Sequence, residues 1–223
     1  MKKVSLFIVT DGRYELLEKT MKSLNEKVKY DFFEKLIFND CIDNVFIDKV
    51  HLLAGEYGFT VYNHLEKKGF AGVYNTAWET VSKEADFVFS CEDDFTFEEE
   101  INIPQMIMIL EKDRNIVQVC LKRQAWNEQE KKAGGIIEQW PELYDEKHLG
   151  NISWTEHRLF YSTNPCLTPS WVIKIGWPLT QQSESLFSKV LFSNPNFKSS
   201  YLGKKFDAPK VIHHGFHRMG INY

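Results

Sequence analysis

Through its first 121 residues the chain alternates short apolar runs, rich in β-branched and aromatic residues, with longer segments whose apolar positions recur every three or four residues. A short run without polar alternation suits a strand covered on both faces, and the amphipathic segments supply the covering helices. Strands are expected at residues 4–9, 36–38, 59–62, 87–89 and 116–121. Between them fall four helices: one carrying Leu17, Met21, Leu24 and Val28, one carrying Phe46, Val50 and Leu53 and stopped at Gly55 or Gly58, one from Gly69 towards Val81, and one over residues 104–112. This order predicts an α/β fold, a mostly parallel central sheet flanked by helices and joined by right-handed crossovers. Open sheets of this kind bind ligands at the carboxyl ends of their strands, where Thr10, Asp11, Asn39, Asp40 and the acids after Phe89 lie.

Beyond residue 121 the alternation continues no further. Residues 122–160 mix charges with Trp126, Trp140 and Trp154 and show no sustained period, the mark of an irregular, substrate-facing segment. A strand is expected at 159–162. Thr168, Pro169, Gly176 and Pro178 punctuate a helix, and another, starting near Ser183, is expected to turn Leu186, Val190 and Leu191 inward. With 223 residues, 43% of them hydrophobic, the chain can build one large core, so a single domain over 1–223 is expected. The net charge of −4 and the lack of any Lys/Arg run argue against nucleic acid as a partner. Cys41, Cys91, Cys120 and Cys166 have no Cys-x-x-Cys spacing, and three of them lie in or beside strand-like runs. They read as reduced thiols, and with no apolar stretch of membrane length the expectation is a soluble, cytoplasmic protein.

Phe87-Val-Phe89 leads into Glu92-Asp93-Asp94 before aromatics return at Phe95 and Phe97. Three adjacent carboxylates beside a core repel one another and resist desolvation, so they require water or a cation. In an extended chain residues two apart share a side, which turns Glu92 and Asp94 towards one ion and Asp93 away. Oxygen ligands of this kind suit Mn2+ or Mg2+. A solvated acidic turn is the other reading of the same residues.

The order of these pieces resembles the GT-A glycosyltransferases, and family 2 in particular. That family shows a first strand ending in a Thr-rich loop, a second ending in Asp-Asp-Gly-Ser, then Gly-x-x-x-Ala-Arg-Asn, then a strand ending in Asp-x-Asp. Here Thr10-Asp11, Asn39-Asp40-Cys41-Ile42, the pair Gly69 and Asn75, and Glu92-Asp93-Asp94 follow in that order, across the first half of the chain. Cys41, Ile42, Tyr74 and Glu92 depart from the pattern where the nucleotide would be contacted. The resemblance implies metal-dependent, inverting transfer of a sugar from a nucleotide-diphosphate sugar donor to a hydroxyl of a glycan or other acceptor. It implies a nucleotide-sugar-binding half over 1–100 and an acceptor-binding half over 101–223. Thr10, Asp11, Arg13, Asp40, Gly69, Asn75, Glu92 and Asp93 would contact the donor, and Asp94 with Glu92 would ligate Mn2+ or Mg2+. A late histidine often completes such a site, and among His213, His214 and His217 the first candidate is His214. Glu184, at a helix start in the second half, stands where the family carries its general base, with Asp145 and Asp207 as weaker candidates. Each assignment has a plainer alternative: Asp40 as a loop cap, Glu184 as a first-turn acid favoured by the helix dipole, the three tryptophans as core. Two rival functions remain, a sugar nucleotidyltransferase and a catalytically silent nucleotide- or sugar-binding module.

Overall fold

The computed structural model describes residues 1–215, which leaves His217 outside the described residues. The first half alternates as expected: β1 (Val4–Thr10), α1 (Tyr14–Lys27), β2 (Glu34–Asn39), α2 (Asn44–Tyr57), β3 (Thr60–Asn63), α3 (Gly69–Thr80), β4 (Phe87–Glu92), a short β5 (Phe95–Phe97), α4 (Ile103–Lys112) and β6 (Ile116–Cys120). The second half holds α5 (Glu128–Ala133), α6 (Ile136–Gln139), β7 (Asp145–Leu149), β8 (Ile152–His157), β9 (Cys166–Pro169), α7 (Ser170–Ile173), α8 (Ser183–Phe192), β10 (Lys198–Leu202) and β11 (Val211–His213).

Nine strands form one sheet in the order β3-β2-β1-β4-β9-β6-β10-β8-β7, and only β9 and β8 run against the other seven. Period-two alternation within the all-apolar β1 divides its side chains between two cores. Leu6 and Ile8 pack with Leu17, Met21, Val50 and Met106 from α1, α2 and α4 on one face. Phe7 and Val9 pack with Val73, Trp78, Phe187 and Leu191 from α3 and α8 on the other. Sequence punctuation sets the helix ends: the Asp43 carboxylate accepts from Val45 N at 2.8 Å to open α2, and Gly58, at φ 69°, closes it in a left-handed conformation that costs glycine little.

Three expectations for the second half are corrected. The irregular segment contains two strands, β7 and β8. Residues 159–162 form a loop, and the strand comes later, as β9, which takes up Thr168 and Pro169 and leaves only four residues to α7. In α8 the inward residues are Phe187 and Leu191, whereas Leu186 and Val190 are 41% and 48% exposed. The four cysteines are all free thiols. Among the described residues no helix is long and apolar enough to cross a membrane.

Candidate active site

β1 and β4 are parallel neighbours with Val9 opposite Glu92, so the loops carrying Thr10-Asp11 and Asp93-Asp94 leave the sheet side by side. Thr10 Oγ1 donates to Asp93 Oδ2 at 2.6 Å, and Thr20 Oγ1 from α1 donates to the Asp93 carbonyl at 2.8 Å. Arg13, just before α1, contacts three acids at once: Nε donates to Asp11 Oδ1 at 3.1 Å, Nη1 to Asp94 Oδ2 at 2.8 Å, and Nη2 to Asp93 Oδ1. Asp93 and Asp94 are wholly buried. Burial pushes the Asp93 carboxyl up to about 7 against the pull of Arg13. For Arg13, burial opposes the charge, but Asp93, Asp94 and Asp11 together hold its pKa above the ordinary value, so it stays cationic.

The strand ends at Glu92 and residues 93–94 form a turn, so period-two alternation does not extend across the three acids. Asp93 and Asp94 meet Arg13 together, while Glu92 Oε1 accepts from Thr163 Oγ1 at 3.1 Å. Among the described residues Glu92 and Asp94 thus meet different partners. β11 joins β5 antiparallel with His213 opposite Phe95, and this delivers the His213 ring to the acidic turn. The ring is sandwiched between Phe95 at 4.4 Å and Trp126 at 4.3 Å, both nearly parallel to it. Gln124 fixes its main chain, donating to His213 O at 2.7 Å and accepting from His213 N at 2.8 Å. His213 Nε2 lies 3.3 Å from Asp94 Oδ2. His214 instead turns outward, its Nε2 2.9 Å from Thr96 Oγ1. Among the described residues the histidine at the carboxylates is His213 rather than His214, which follows the end of β11 and turns the other way.

These residues fit a divalent ion. An Asp94 oxygen and the His213 Nε2, which makes no hydrogen bond among the described residues, converge on one point. Gly215 passes so near that a Cβ there would meet Asp94 Oδ2 and, at 2.7 Å, His213 Nε2. Among the described residues no group of three His, Cys, Asp or Glu side chains could hold an ion; octahedral Mn2+ or Mg2+ commonly takes phosphate and water among its ligands.

Asp40 accepts from Lys68 N at 2.7 Å and Gly69 N at 2.8 Å, with His64 Nδ1 3.3 Å away. It thus caps α3, whose own cap residue, Lys68, offers no side-chain bond. Gly69, at φ 68°, begins that helix, and Asn75 lies one to two turns further on, donating to Glu79 at 2.9 Å. Glu184 sits in the first turn of α8, where its Oε1 accepts from Thr163 N at 2.8 Å and lies 3.3 Å from Thr163 Oγ1. Burial raises the Glu184 pKa; the Thr163 N–H works against that rise and the Glu92 charge adds to it.

Two clefts meet here. The smaller, ≈ 350 Å³, is lined by Thr10, Asp11, Arg13, Asp40, Lys68 and Glu92 among others. The larger, ≈ 1170 Å³, is lined by Glu92, Trp126, Thr163, Glu184 and His213 among others. Asn75 lines neither. Of the tryptophans, Trp126 faces the large cleft, Trp154 is core and Trp140 is half-exposed. Asp207 accepts from Lys204 N and Asp145 lies on the exposed edge strand β7, both away from the clefts. Sequence reasoning missed Thr163, Gln124 and Thr20, which carry no motif; only the spatial neighbours of Glu184, His213 and Asp93 reveal them.

A seven-to-two sheet with an acidic turn at the end of β4 and clefts meeting at Glu92, just before that turn, has the arrangement of the GT-A class of fold. The family model for glycosyl transferase family 2 matches residues 5–167, and the chain belongs to that family. Solved structures share the fold at low identity. S. aureus TarS 1–349 in complex with UDP-GlcNAc aligns with a TM-score of 0.68 and 16% identity over 99% of this chain and 60% of its own. The mannosyltransferase PcManGT from Pyrobaculum calidifontis, in complex with GDP-Man and Mn2+, gives 0.61 and 11% over 95% and 56%. GalNAc-T7 with UDP, GalNAc and Mn2+ gives 0.66 and 10% over 95% and 43%. The chain therefore spans no more than 60% of the length of these proteins. No curated protein matches by sequence.

Proposed function

We propose that the chain is a single-domain glycosyltransferase that moves a sugar from a nucleoside diphosphate to an acceptor hydroxyl with inversion, residues 1–100 binding the donor and 101–223 the acceptor. The observation that carries this reading is the junction of the two clefts at Glu92, with the Asp94–His213 pair and Glu184 both near it. The diphosphate lies in the smaller cleft, drawn by Arg13 and Lys68. Asp94 and His213 hold a divalent ion, and the imidazole favours Mn2+ over Mg2+. When bound, that ion supplies Lewis-acid neutralisation of the charge that gathers on the leaving diphosphate. The sugar faces the larger cleft. There Glu184 takes the proton of the acceptor hydroxyl as its oxygen bonds to the anomeric carbon, on the side opposite the breaking bond to the diphosphate. The raised pKa of Glu184 suits a group that must accept a proton and keep it. Relatives in fold carry UDP, UDP-GlcNAc and GDP-Man, which supports a nucleotide-sugar donor.

Calorimetry with UDP, GDP, CDP, ADP and dTDP, each with Mn2+, Mg2+ or chelator, tests the reading. One nucleotide is expected to bind with Mn2+ and to bind about tenfold more weakly or worse in Asp94→Asn. No binding under any condition would favour the silent module, and pyrophosphate release from a nucleoside triphosphate would identify a nucleotidyltransferase.

A further inference from the structure

We propose that Arg13 is a built-in counter-ion for the acidic turn, a side chain that neutralises Asp94 while the donor site is empty and gives it up when a divalent ion and donor enter. This rests on the reading of Asp94 and His213 as the ion's ligands. The key observation is that one oxygen has two claimants. Asp94 Oδ2 accepts from Arg13 Nη1 at 2.8 Å, and the same oxygen faces His213 Nε2 at 3.3 Å. An ion held between Asp94 and His213 would draw on the carboxylate charge that the guanidinium now holds, so the two cations compete for Asp94.

Charge and burial explain why such a stand-in is needed. Asp93 and Asp94 are fully buried neighbours, and without a cation the fold would have to hold two like charges together out of water. Arg13 relieves this, its one guanidinium reaching three carboxylates at once, Asp11, Asp93 and Asp94. The arginine is also placed to leave. It stands at the boundary of α1 with a non-helical backbone and no side-chain capping bond, so releasing its side chain costs the helix nothing. Its Nε contact to the partly exposed Asp11 gives it an anchor outside the buried pair, and it lines the smaller cleft. Once off Asp94, the guanidinium points a planar set of donors at the diphosphate proposed to lie there. Ion and donor therefore assist each other's binding, since each removes a competitor of the other.

The test is Mn2+ binding without nucleotide, read by electron paramagnetic resonance, on wild type, Arg13→Lys and Arg13→Met, with melting temperatures recorded with and without Mn2+. Arg13→Met is expected to bind Mn2+ about tenfold more tightly than wild type or better, to melt lower without Mn2+ and to recover with it. Arg13→Lys, a point charge without the fork, should fall between. If Arg13→Met folds only when Mn2+ is present, the proposal is equally supported; failure to fold even with Mn2+ overturns it. Mn2+ affinity that stays equal or weakens in Arg13→Met removes the counter-ion role and leaves the metal reading standing. Absence of Mn2+ binding in every variant removes both.

Discussion

At the scale of single residues, the pairing of Glu184 with Thr163 is the most informative contact in the larger cleft. A threonine hydroxyl has one proton to give, and two carboxylates stand near it. The backbone N–H of Thr163 secures Glu184, which frees the hydroxyl for Glu92, so one residue orients both acids. Glu184→Gln keeps the size and the acceptor oxygen but cannot take a proton. Steady-state kinetics should show kcat lowered about 10²- to 10⁴-fold, with donor binding by calorimetry unchanged; undiminished turnover would move the base elsewhere. Asp94 and Glu184 stood out in the sequence as candidates because acids at motif positions announce themselves. Thr163 did not, since a threonine in a loop has no spacing that marks it. The choice between His213 and His214 needed the register of β11, which three residues of sequence do not reveal.

At the scale of elements, α3 depends on a residue far from it in sequence. Asp40, at the end of β2, receives the N–H groups of Lys68 and Gly69, and the helix has no cap of its own. Asp40→Ala should lower stability by about 1–2 kcal/mol in urea denaturation, with an unchanged slope, and Asp40→Asn should lose less. An Asp40→Ala protein as stable as wild type would mean water caps α3 equally well. The helices and strands of the first half could be read from sequence because both faces of the sheet are covered, so burial appears as unbroken apolar runs. In the second half the buried strands are polar. Thr155, Ser199 and Ser200 are wholly buried, with the Thr155 hydroxyl donating to Gly203 O at 2.9 Å and that of Ser200 to Gln118 O at 3.0 Å. Satisfied hydroxyls bury at little cost but leave no hydrophobic period, which is why β8 and β10 escaped notice. Thr168 and Pro169 misled for another reason: the residues that open a helix also end a strand, and the pairing of β9 with β4 decides between the two.

For the molecule as a whole, the fold class followed from alternation, but the insertion of β9 between β4 and β6 did not, because no local pattern specifies which distant strands become neighbours. The far half of the sheet also carries an acid sensitivity. His157 is buried among Tyr144, Phe160 and Tyr201, and burial lowers its pKa from 6.5 to about 3. The unfolded chain therefore takes up this proton first, so the His157 contribution is fully present above about pH 6.5 and is lost as pH falls towards 3. Denaturation midpoints measured across that range should fall more steeply for wild type than for His157→Phe; parallel curves would assign the acid lability to other groups. The joining of β11 to β5 carries a consequence for how the protein is made. The acidic turn and the strand that brings its histidine are separated by more than a hundred residues, and at a synthesis rate of about 5–20 residues per second roughly 6–23 s pass between them. During that interval a nascent chain can assemble the parallel half of its sheet while the histidine that meets the acidic turn has yet to be translated. The acidic turn then gains its histidine as a late, discrete event in the life of the chain, well after its first half has a shape.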